Sequence, residues 1–209
     1  SRSPTPSSGP SSMREVEVKA VASEPEAVVA ALVAVGAELA FAGHLADSRY
    51  DTSPRTLIAK DHVLRVRVYS GPRGSRACLD WKGPTDYEGG YKIREEVSTD
   101  VGDVGALAQL LEGLGYNVIR EIDRDIEQFS VRGAMVRIER YPRMDALVEV
   151  EGTPARIEAA IAATGLPRDA FTAERLPEFV RRFERRTGQR AALCNRELAG
   201  DYRFSVDDA

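Results

Sequence analysis

The sequence predicts an α+β fold in which amphipathic helices pack on an antiparallel sheet, and three observations support it. Strict alternation of apolar and charged residues, as in EVEVK at residues 15–19, is typical of a strand with two unlike faces. Short turn-rich segments, such as residues 71–76, separate such strands. Longer segments with apolar residues at helical spacing, such as residues 100–115, require an apolar sheet face on which to pack.

The first half of the chain predicts strands with one helix between the first two. A strand at residues 15–21 precedes a helix at residues 24–35, which has Ser23 as its N-cap, Pro25 in its first turn and Gly36 at its end. Further strands are expected at residues 38–50, 62–70, 77–83 and 91–99. The third strand shows the pattern most clearly, because Leu64, Val66 and Val68 share one face and Arg65 and Arg67 share the other.

The second half repeats this arrangement of helix and strands. Leucines at helical spacing predict a helix over residues 100–115 that ends at Gly115. Two strands, at residues 118–131 and 135–140, flank a turn at Arg132-Gly133, and a last strand follows at residues 146–152. A helix begins at Thr153-Pro154, and a basic helix covers residues 175–187.

Composition narrows the class of protein. The chain has 209 residues and a formal net charge of −4, so no overall basic field would attract nucleic acid. Its two cysteines, Cys78 and Cys194, are too few for a disulfide framework and indicate free thiols in a reducing cytoplasm.

The most apolar segment, residues 27–42, is short and broken by Glu38, so we expect no membrane span. Residues 1–12 are rich in Ser and Pro and predict a disordered leader or tag remnant.

The charged faces of the strands allow two interpretations. A sheet with helices on one face and water on the other would produce the same alternation, and this open sheet is the commoner arrangement. Exposed strand faces, however, normally mix Thr, Ser, Gln and Lys, whereas these positions are almost purely Arg, Lys and Glu. A sheet closed into a barrel with a charged lumen, and with the helices outside, explains both features.

A charged lumen predicts a chemistry, because buried charges need partners. Arginine and lysine on several walls favour phosphate oxygens, and carboxylates favour Mg²⁺ or Mn²⁺, which bridge to substrate phosphates. The pattern therefore indicates a chain of linked phosphates. In this interpretation Glu15 and Glu17 hold metal, and Lys19 contacts the phosphate that the metal also binds.

These residues resemble a known family. The chain resembles the CYTH domain superfamily of triphosphate tunnel metalloenzymes, which includes class IV adenylate cyclases, thiamine triphosphatases and inorganic triphosphatases. The signature is E-x-E-x-K at residues 15–19. It is supported, in the family's order, by YDT at 50–52, LRVR at 64–67, WKGP at 81–84, REE at 94–96, DRDIEQF at 123–129 and LVEVEG at 147–152.

The resemblance implies an eight-stranded antiparallel tunnel over residues 13–187, followed by a C-terminal tail at 188–209. It assigns the metal to four carboxylates: Glu15, Glu17, Glu149 and Glu151. It assigns the triphosphate to Lys19, Arg65, Arg67, Lys82, Arg94 and Arg124, with Arg137 added because it shares a strand face with Glu139. Lys19, Arg65, Lys82 and Glu139 are the candidate catalytic residues.

Three functions remain open at this stage. Attack by water on the terminal phosphorus would make the protein a metal-dependent triphosphatase, acting on inorganic, nucleoside or thiamine triphosphate. Attack by the ribose hydroxyl of ATP would make it an adenylate cyclase, although Ile126 stands where such cyclases usually carry a second basic residue, and Asp80 stands where the family usually has Thr. A non-catalytic polyphosphate- or nucleotide-binding module is the third. We expect a small triphosphate as partner, no nucleic acid or membrane, and a homodimer as an option.

Overall fold

A computed structural model describes residues 13–209, so the prediction for residues 1–12 lies outside the described residues. The strands are β1 (Met13–Val21), β2 (Glu38–Thr52), β3 (Val63–Gly71), β4 (Gly74–Lys82), β5 (Asp86–Glu88), β6 (Tyr91–Val101), β7 (Tyr116–Val131), β8 (Ala134–Arg140) and β9 (Leu147–Glu151). The helices are α1 (Pro25–Ala34), α2 (Val104–Gly113), α3 (Pro154–Thr164), α4 (Leu176–Thr187) and α5 (Asn195–Ala199).

Eight of the strands close into an antiparallel barrel. Their order is β1-β9-β8-β7-β2-β3-β4-β6, and a further pairing between β1 and β6 joins the two ends. The short strand β5 pairs only with β6 and lies outside the barrel. The α+β fold with an eight-stranded antiparallel barrel is therefore confirmed. Closure also satisfies the backbone groups that an open sheet edge would leave unpaired.

The apolar faces of the strands point outward, beneath the helices. Val18 on β1, Val136 on β8 and Val150 on β9 form one buried cluster with Leu32 of α1 and Ile157 of α3. Burying each aliphatic side chain of this kind stabilises the fold by about 1.5–3 kcal/mol. Because successive residues of a strand point to opposite faces, the charged faces then point to the inside of the barrel. A second outer cluster packs Leu111 of α2 on Tyr50 and Val66.

Helix α4 and residues 188–209 cover one end of the barrel. Ile122 of β7 is buried there against Val180 of α4, Leu193 and Ala209. The fully buried Arg120 donates two hydrogen bonds, each of 2.9 Å, to the Glu197 carboxylate of α5. A bidentate pair of this kind fixes the geometry as well as supplying energy. Residues 188–209, whose sequence predicted no element, therefore form part of the end wall.

Two further elements differ from the sequence predictions. Strand β6 continues to Val101 because it pairs with Ala77 of β4, so helix α2 starts four residues later than residue 100. Asp103 is the N-cap of α2, and its carboxylate accepts a 2.9 Å hydrogen bond from the Ala106 amide. Strand β5 lies between the strands expected at residues 77–83 and 91–99, where the sequence predicted no element.

Within residues 13–209, no helix has the length and apolar character needed to cross a membrane.

Candidate active site

The charged faces of the strands line the inside of the barrel. On β1, Glu17 is 4% exposed on one face and Val18 is 1% exposed on the other, so both faces are buried. An open sheet would leave the charged face in water, and that alternative is therefore wrong. The barrel with a charged lumen is confirmed.

Strand alternation brings the predicted site residues together. Eleven of the twelve are buried, and Glu151, near the end of the lumen, is half-buried. The buried ones are Glu15, Glu17, Lys19, Arg65, Arg67, Lys82, Arg94, Arg124, Arg137, Glu139 and Glu149. Their positions follow from register, since Lys19 lies directly opposite Glu149, and Glu15 lies opposite Arg94.

A central cavity of about 70 Å³ occupies the lumen, and its lining is strongly cationic. Ten cationic side chains and four carboxylates line it, so the field inside favours an anion. The cations are Lys19, Arg49, Arg65, Arg67, Lys82, Lys92, Arg94, Arg124, Arg137 and Arg175, and the acids are Glu17, Asp47, Glu139 and Glu149.

A separate cavity lies at the mouth that α4 does not cover. Glu15, Glu96, Glu151 and Ser98 line it together with three arginines, so its charge is balanced. Burial raises the pKa of the Glu151 carboxyl, and the nearby charges of Glu15 and Glu17 raise it further against the opposing effect of Arg137. This mouth therefore holds carboxylates that repel one another.

The lysine–glutamate cluster comprises Lys19, Lys82, Lys92, Glu15, Glu17 and Glu149. Lys19 pairs with Glu149 and lies 3.2 Å from Glu17, while Lys82 pairs with Glu15 and Lys92 with Glu17. Burial lowers the pKa of the Lys19 ammonium, which the charge of Glu17 opposes. Each charge in this cluster has an opposite partner, as a buried charge requires.

The arginine–aspartate cluster comprises Arg65, Arg67, Arg124, Asp47 and Asp80. Arg65 Nε donates a 3.0 Å hydrogen bond to Asp80 Oδ2, and Arg67 Nε lies 3.3 Å from the same oxygen. Arg124 Nη2 donates a 3.2 Å hydrogen bond to Asp47 Oδ2. Three guanidiniums thus share two aspartates, which cannot satisfy all of their donors.

Several buried donors of these arginines have no hydrogen-bond partner. They are Arg65 Nη2, Arg67 Nε and Arg124 Nη1, together with Arg49 Nε from the same cavity. A buried donor left without an acceptor costs about 1–3 kcal/mol, more when it is charged. Unpaired guanidinium donors around a cationic cavity therefore identify a place for the oxygens of an anion.

Glu139 links the two clusters. Its carboxylate accepts 2.8 Å hydrogen bonds from Arg124 Nε and from the Tyr141 hydroxyl. Burial alone would raise its pKa, but the charges of Arg124, Lys19 and Arg137 lower the pKa to about 2. Glu139 is therefore ionised in the folded protein at any ordinary pH. Burial and the negative charge of Glu139 in turn raise the pKa of the Tyr141 hydroxyl.

The carboxylates provide donors of the type that Mg²⁺ and Mn²⁺ prefer. Glu17 and Glu151 are direct cross-strand partners, an arrangement of like charges that destabilises a sheet unless a cation intervenes. Glu151 makes no ion pair with any of the described residues. Because Glu17 and Glu149 turn toward cations, residues 13–209 show no group of three or more metal-ligating side chains already gathered around one point. The donor chemistry fits such a metal, provided that the glutamates exchange partners.

Four charged residues that line the central cavity were not predicted from the sequence. Asp47 and Arg49 share the inward face of β2, Lys92 lies two residues before Arg94 on β6, and Arg175 precedes α4. The alternation of Leu45, Asp47 and Arg49 was the available signal for β2, because residues at i and i+2 share a face.

Ile126 occupies the lumen beyond Arg124 and is fully buried. It packs with Leu45, Tyr69 and Cys78, so apolar side chains fill this part of the barrel. Burial, with Asp80, raises the pKa of the Cys78 thiol to about 11, which leaves that thiol protonated and unreactive. The departure from the cyclase pattern at Ile126 therefore has a packing role.

A closed antiparallel barrel with a cationic, carboxylate-bearing lumen has the architecture of a tunnel protein. The CYTH domain family model matches residues 13–158, and the chain belongs to this family. No curated protein sequence matches the chain.

Solved structures share the fold at low sequence identity. A candidate adenylate cyclase from Vibrio parahaemolyticus is 20% identical, with a TM-score of 0.70 over 82% of this chain and 99% of that one. A conserved protein from Pyrococcus furiosus is 19% identical, with a TM-score of 0.63 over 79% and 99%. A candidate adenylyl cyclase from Hippeastrum, described as having a dominant triphosphatase activity, is 16% identical, with a TM-score of 0.59 over 86% and 98%.

Proposed function

We propose that this protein is a divalent-metal-dependent triphosphatase that hydrolyses a triphosphate inside the barrel. The observation that carries the proposal is a set of buried guanidinium donors, on Arg65, Arg67 and Arg124, that make no hydrogen bond around a cationic cavity. A triphosphate supplies many oxygen acceptors in a row, and several charge-assisted hydrogen bonds would form without any change of fold.

The lysine–glutamate cluster supports a metal-dependent reaction. When a phosphate chain enters, the ammonium groups of Lys19 and Lys82 gain phosphate oxygens as partners and release carboxylates. Glu15, Glu17, Glu149 and Glu151 would then hold Mg²⁺ or Mn²⁺. Bound there, the metal supplies Lewis-acid stabilisation of the phosphate charge.

The remaining roles fall to residues of the chain. Lys19, Arg65 and Lys82 stabilise the charge that develops on the leaving phosphate, as fixed cations in a water-poor site. Arg67, Arg94, Arg124 and Arg137 hold and orient the phosphate chain. Glu139, ionised and fixed by Arg124 and Tyr141, positions the Arg124 guanidinium toward the chain.

Cyclisation of ATP is the second candidate, and one observation favours it: two of the similar structures carry names that refer to adenylate cyclases. Against it, Ile126 packs into the apolar core at the position where a basic residue would extend the phosphate contacts. The Hippeastrum protein, whose name also refers to triphosphatase activity, agrees with hydrolysis as the first choice.

A product assay tests the proposal. Purified protein is incubated with Mg²⁺ or Mn²⁺ and with inorganic triphosphate, ATP or thiamine triphosphate, and the products are identified by chromatography and phosphorus NMR. Release of orthophosphate that requires metal supports the triphosphatase, and cyclic AMP with pyrophosphate supports the cyclase. Saturable binding without turnover of any substrate would identify a binding module and overturn both. Arg65→Met is the test variant, and Arg76→Met, which lies outside the cavity, is the matched control.

A further inference from the structure

A second cavity, which we call the hairpin groove, lies between the start of β2 and the turn that joins β3 to β4. It is lined by residues 39–42, Tyr69, residues 71–76 and Gln128, none of which lines the central cavity. Its free volume is about 540 Å³, against about 70 Å³ for the central cavity. Small-molecule sites commonly have volumes of about 300–1,000 Å³, so the hairpin groove has room for an organic molecule.

The hairpin groove offers apolar and aromatic surface to a ligand. The rings of Phe41 and Tyr69 meet edge to face, with their centroids 5.5 Å apart. Leu39, a large apolar residue, is 51% exposed, and Pro72 beside it in the lining is also exposed. Covering such surface with the apolar part of a ligand removes it from water and thereby stabilises the complex.

The charged part of the hairpin groove is purely cationic. Arg73 and Arg76 belong to its lining, and no carboxylate does. Within residues 13–209, neither guanidinium makes an ion pair or a hydrogen bond, and that of Arg76 lies over the Tyr69 ring, 3.9 Å from its centroid. Two cations without acidic partners, in a chain whose net charge is −4, make this groove complementary to an anionic group.

Tyr69 fixes the wall of the hairpin groove before any ligand arrives. Its side chain is buried, and its hydroxyl accepts a 3.1 Å hydrogen bond from Arg67 Nη1 inside the lumen. The guanidinium of Arg76 covers the ring, and Phe41 packs against its edge. A wall that is already ordered loses little conformational freedom on binding, which favours affinity.

Apolar side chains separate the hairpin groove from the charged part of the lumen. Leu45, Cys78 and Ile126 are buried together with Tyr69, and Phe41 packs on them. A charged molecule would lose its hydration in crossing this layer without gaining partners there. A ligand of the hairpin groove therefore does not share the central cavity.

We propose that the hairpin groove binds a small organic anion, with an apolar or aromatic body and one carboxylate, sulfonate or phosphate group. The body covers Leu39 and Phe41, and the anionic group pairs with Arg73 and Arg76. The inference does not depend on the proposed function, because a triphosphatase, a cyclase and a binding module would all carry this groove.

Two fluorescent probes that differ by one charged group test the proposal. 8-Anilinonaphthalene-1-sulfonate has an aromatic body and one anionic group, and N-phenyl-1-naphthylamine is the same body without the sulfonate. Fluorescence titration of the full chain is expected to show one saturable site for each probe. Arg73→Met/Arg76→Met should weaken binding of the sulfonate about tenfold, as loss of a charge-assisted contact implies, and leave binding of the neutral amine unchanged.

Two further variants locate the probe. Leu39→Ser removes apolar surface from the hairpin groove at a half-exposed position and should weaken binding of both probes several-fold. Arg185→Met is the matched control, because Arg185 is an exposed arginine of α4 outside the groove, and its affinities should equal those of wild type. Partly unfolded states also bind the sulfonate, so a cooperative thermal melt of each variant is required.

Three results would overturn the proposal. The first is the absence of saturable binding of the sulfonate to wild type. The second is an equal affinity for the sulfonate in wild type and in Arg73→Met/Arg76→Met, and the third is an affinity for both probes that Leu39→Ser leaves unchanged. None of these results bears on whether the central cavity hydrolyses a triphosphate.

Discussion

The lysine–glutamate cluster and the arginine–aspartate cluster lie in one lumen but satisfy their charges differently. In the first, each ammonium has a carboxylate partner, and the strands β1 and β9 supply all three acids. In the second, three guanidiniums share Asp47 and Asp80, and donors are left over. The lysines can exchange a carboxylate for a phosphate, whereas the arginines already have donors free for one.

This difference follows from side-chain chemistry. An ammonium is a compact charge that reorients on a flexible stem, so it can leave one oxygen for another at little cost. A guanidinium carries five donors in a rigid fork, and two aspartates cannot use all of them from three such groups. In the proposed function, the arginine–aspartate cluster would be preorganised for an anion. The lysine–glutamate cluster would release its carboxylates when the anion arrives.

The largest effect is expected when the ammonium of Lys19 is removed from the lysine–glutamate cluster. Lys19→Met removes a cation that contacts Glu149 and Glu17 and lines the cavity, and kcat/KM for the triphosphate should fall on the order of a thousandfold. Steady-state kinetics with saturating metal measure the loss. Lys60→Met, at an exposed position, is the control, and equal losses in both variants would contradict the assignment.

The next effect concerns Glu139, which joins the two clusters, and it appears as a pH dependence of stability. Because the pKa of Glu139 is about 2 in the folded state and 4.5 in its ordinary range, the carboxylate stabilises the fold above pH 4.5. That contribution, about 3 kcal/mol, is lost as the pH falls toward 2.

Chemical denaturation of wild type and Glu139→Gln across this range measures it. The difference in unfolding free energy between the two proteins should shrink as the pH falls. A difference that stays constant between pH 6 and pH 2 would show that Glu139 is not held ionised by Arg124.

A smaller effect is expected in the arginine–aspartate cluster, where Arg65→Lys tests whether the geometry of the guanidinium donors contributes to affinity. Arg65→Lys keeps the charge beside Asp80 but loses the fork and its free Nη2 donor, so affinity for tripolyphosphate should fall about tenfold while the melting temperature changes little. Calorimetric titration in EDTA measures the affinity. Unchanged binding would mean that positive charge alone, without donor geometry, holds the ligand.

The smallest effect is expected outside both clusters. Arg14 and Glu88 form an ion pair at 2.7 Å on the surface, with both side chains mostly exposed. Arg14→Ala should change the unfolding free energy by less than about 1 kcal/mol, because water and salt screen such pairs. A loss of unfolding free energy as large as that of Glu139→Gln would show that the ion pairs of the lumen stabilise the fold no more than a surface ion pair does.

Much of the barrel could be predicted from strand periodicity. Alternation identified the eight strands of the wall, and the near-absence of Ser, Thr and Gln on their polar faces indicated a closed lumen. The N-terminus of α2 was predicted too early because pairing with β4 extends β6 to Val101, which no local pattern encodes. Ser23 was expected to cap α1, but Glu24 takes the N-cap position and no side chain bonds there.

The site residues that belong to a local sequence motif could be predicted. Those that reach the site only through tertiary contacts could not. Glu15, Glu17 and Lys19 follow from one strand. Arg175 and the end wall of residues 188–209 depend on packing against Ile122 and on the Arg120–Glu197 pair, which lie far apart in sequence. Arg49 lies on a predicted strand, but its unpaired Nε is evident only once its neighbours are known.

The most direct test of the central claim is a crystal structure of the protein with inorganic tripolyphosphate. The account predicts the phosphate chain inside the central cavity, with oxygens within hydrogen-bond distance of Arg65 Nη2, Arg124 Nη1 and Arg49 Nε. A fully occupied tripolyphosphate on the outer surface, with Arg65, Arg67 and Arg124 still in their ion pairs with Asp47, Asp80 and Glu139, would contradict it.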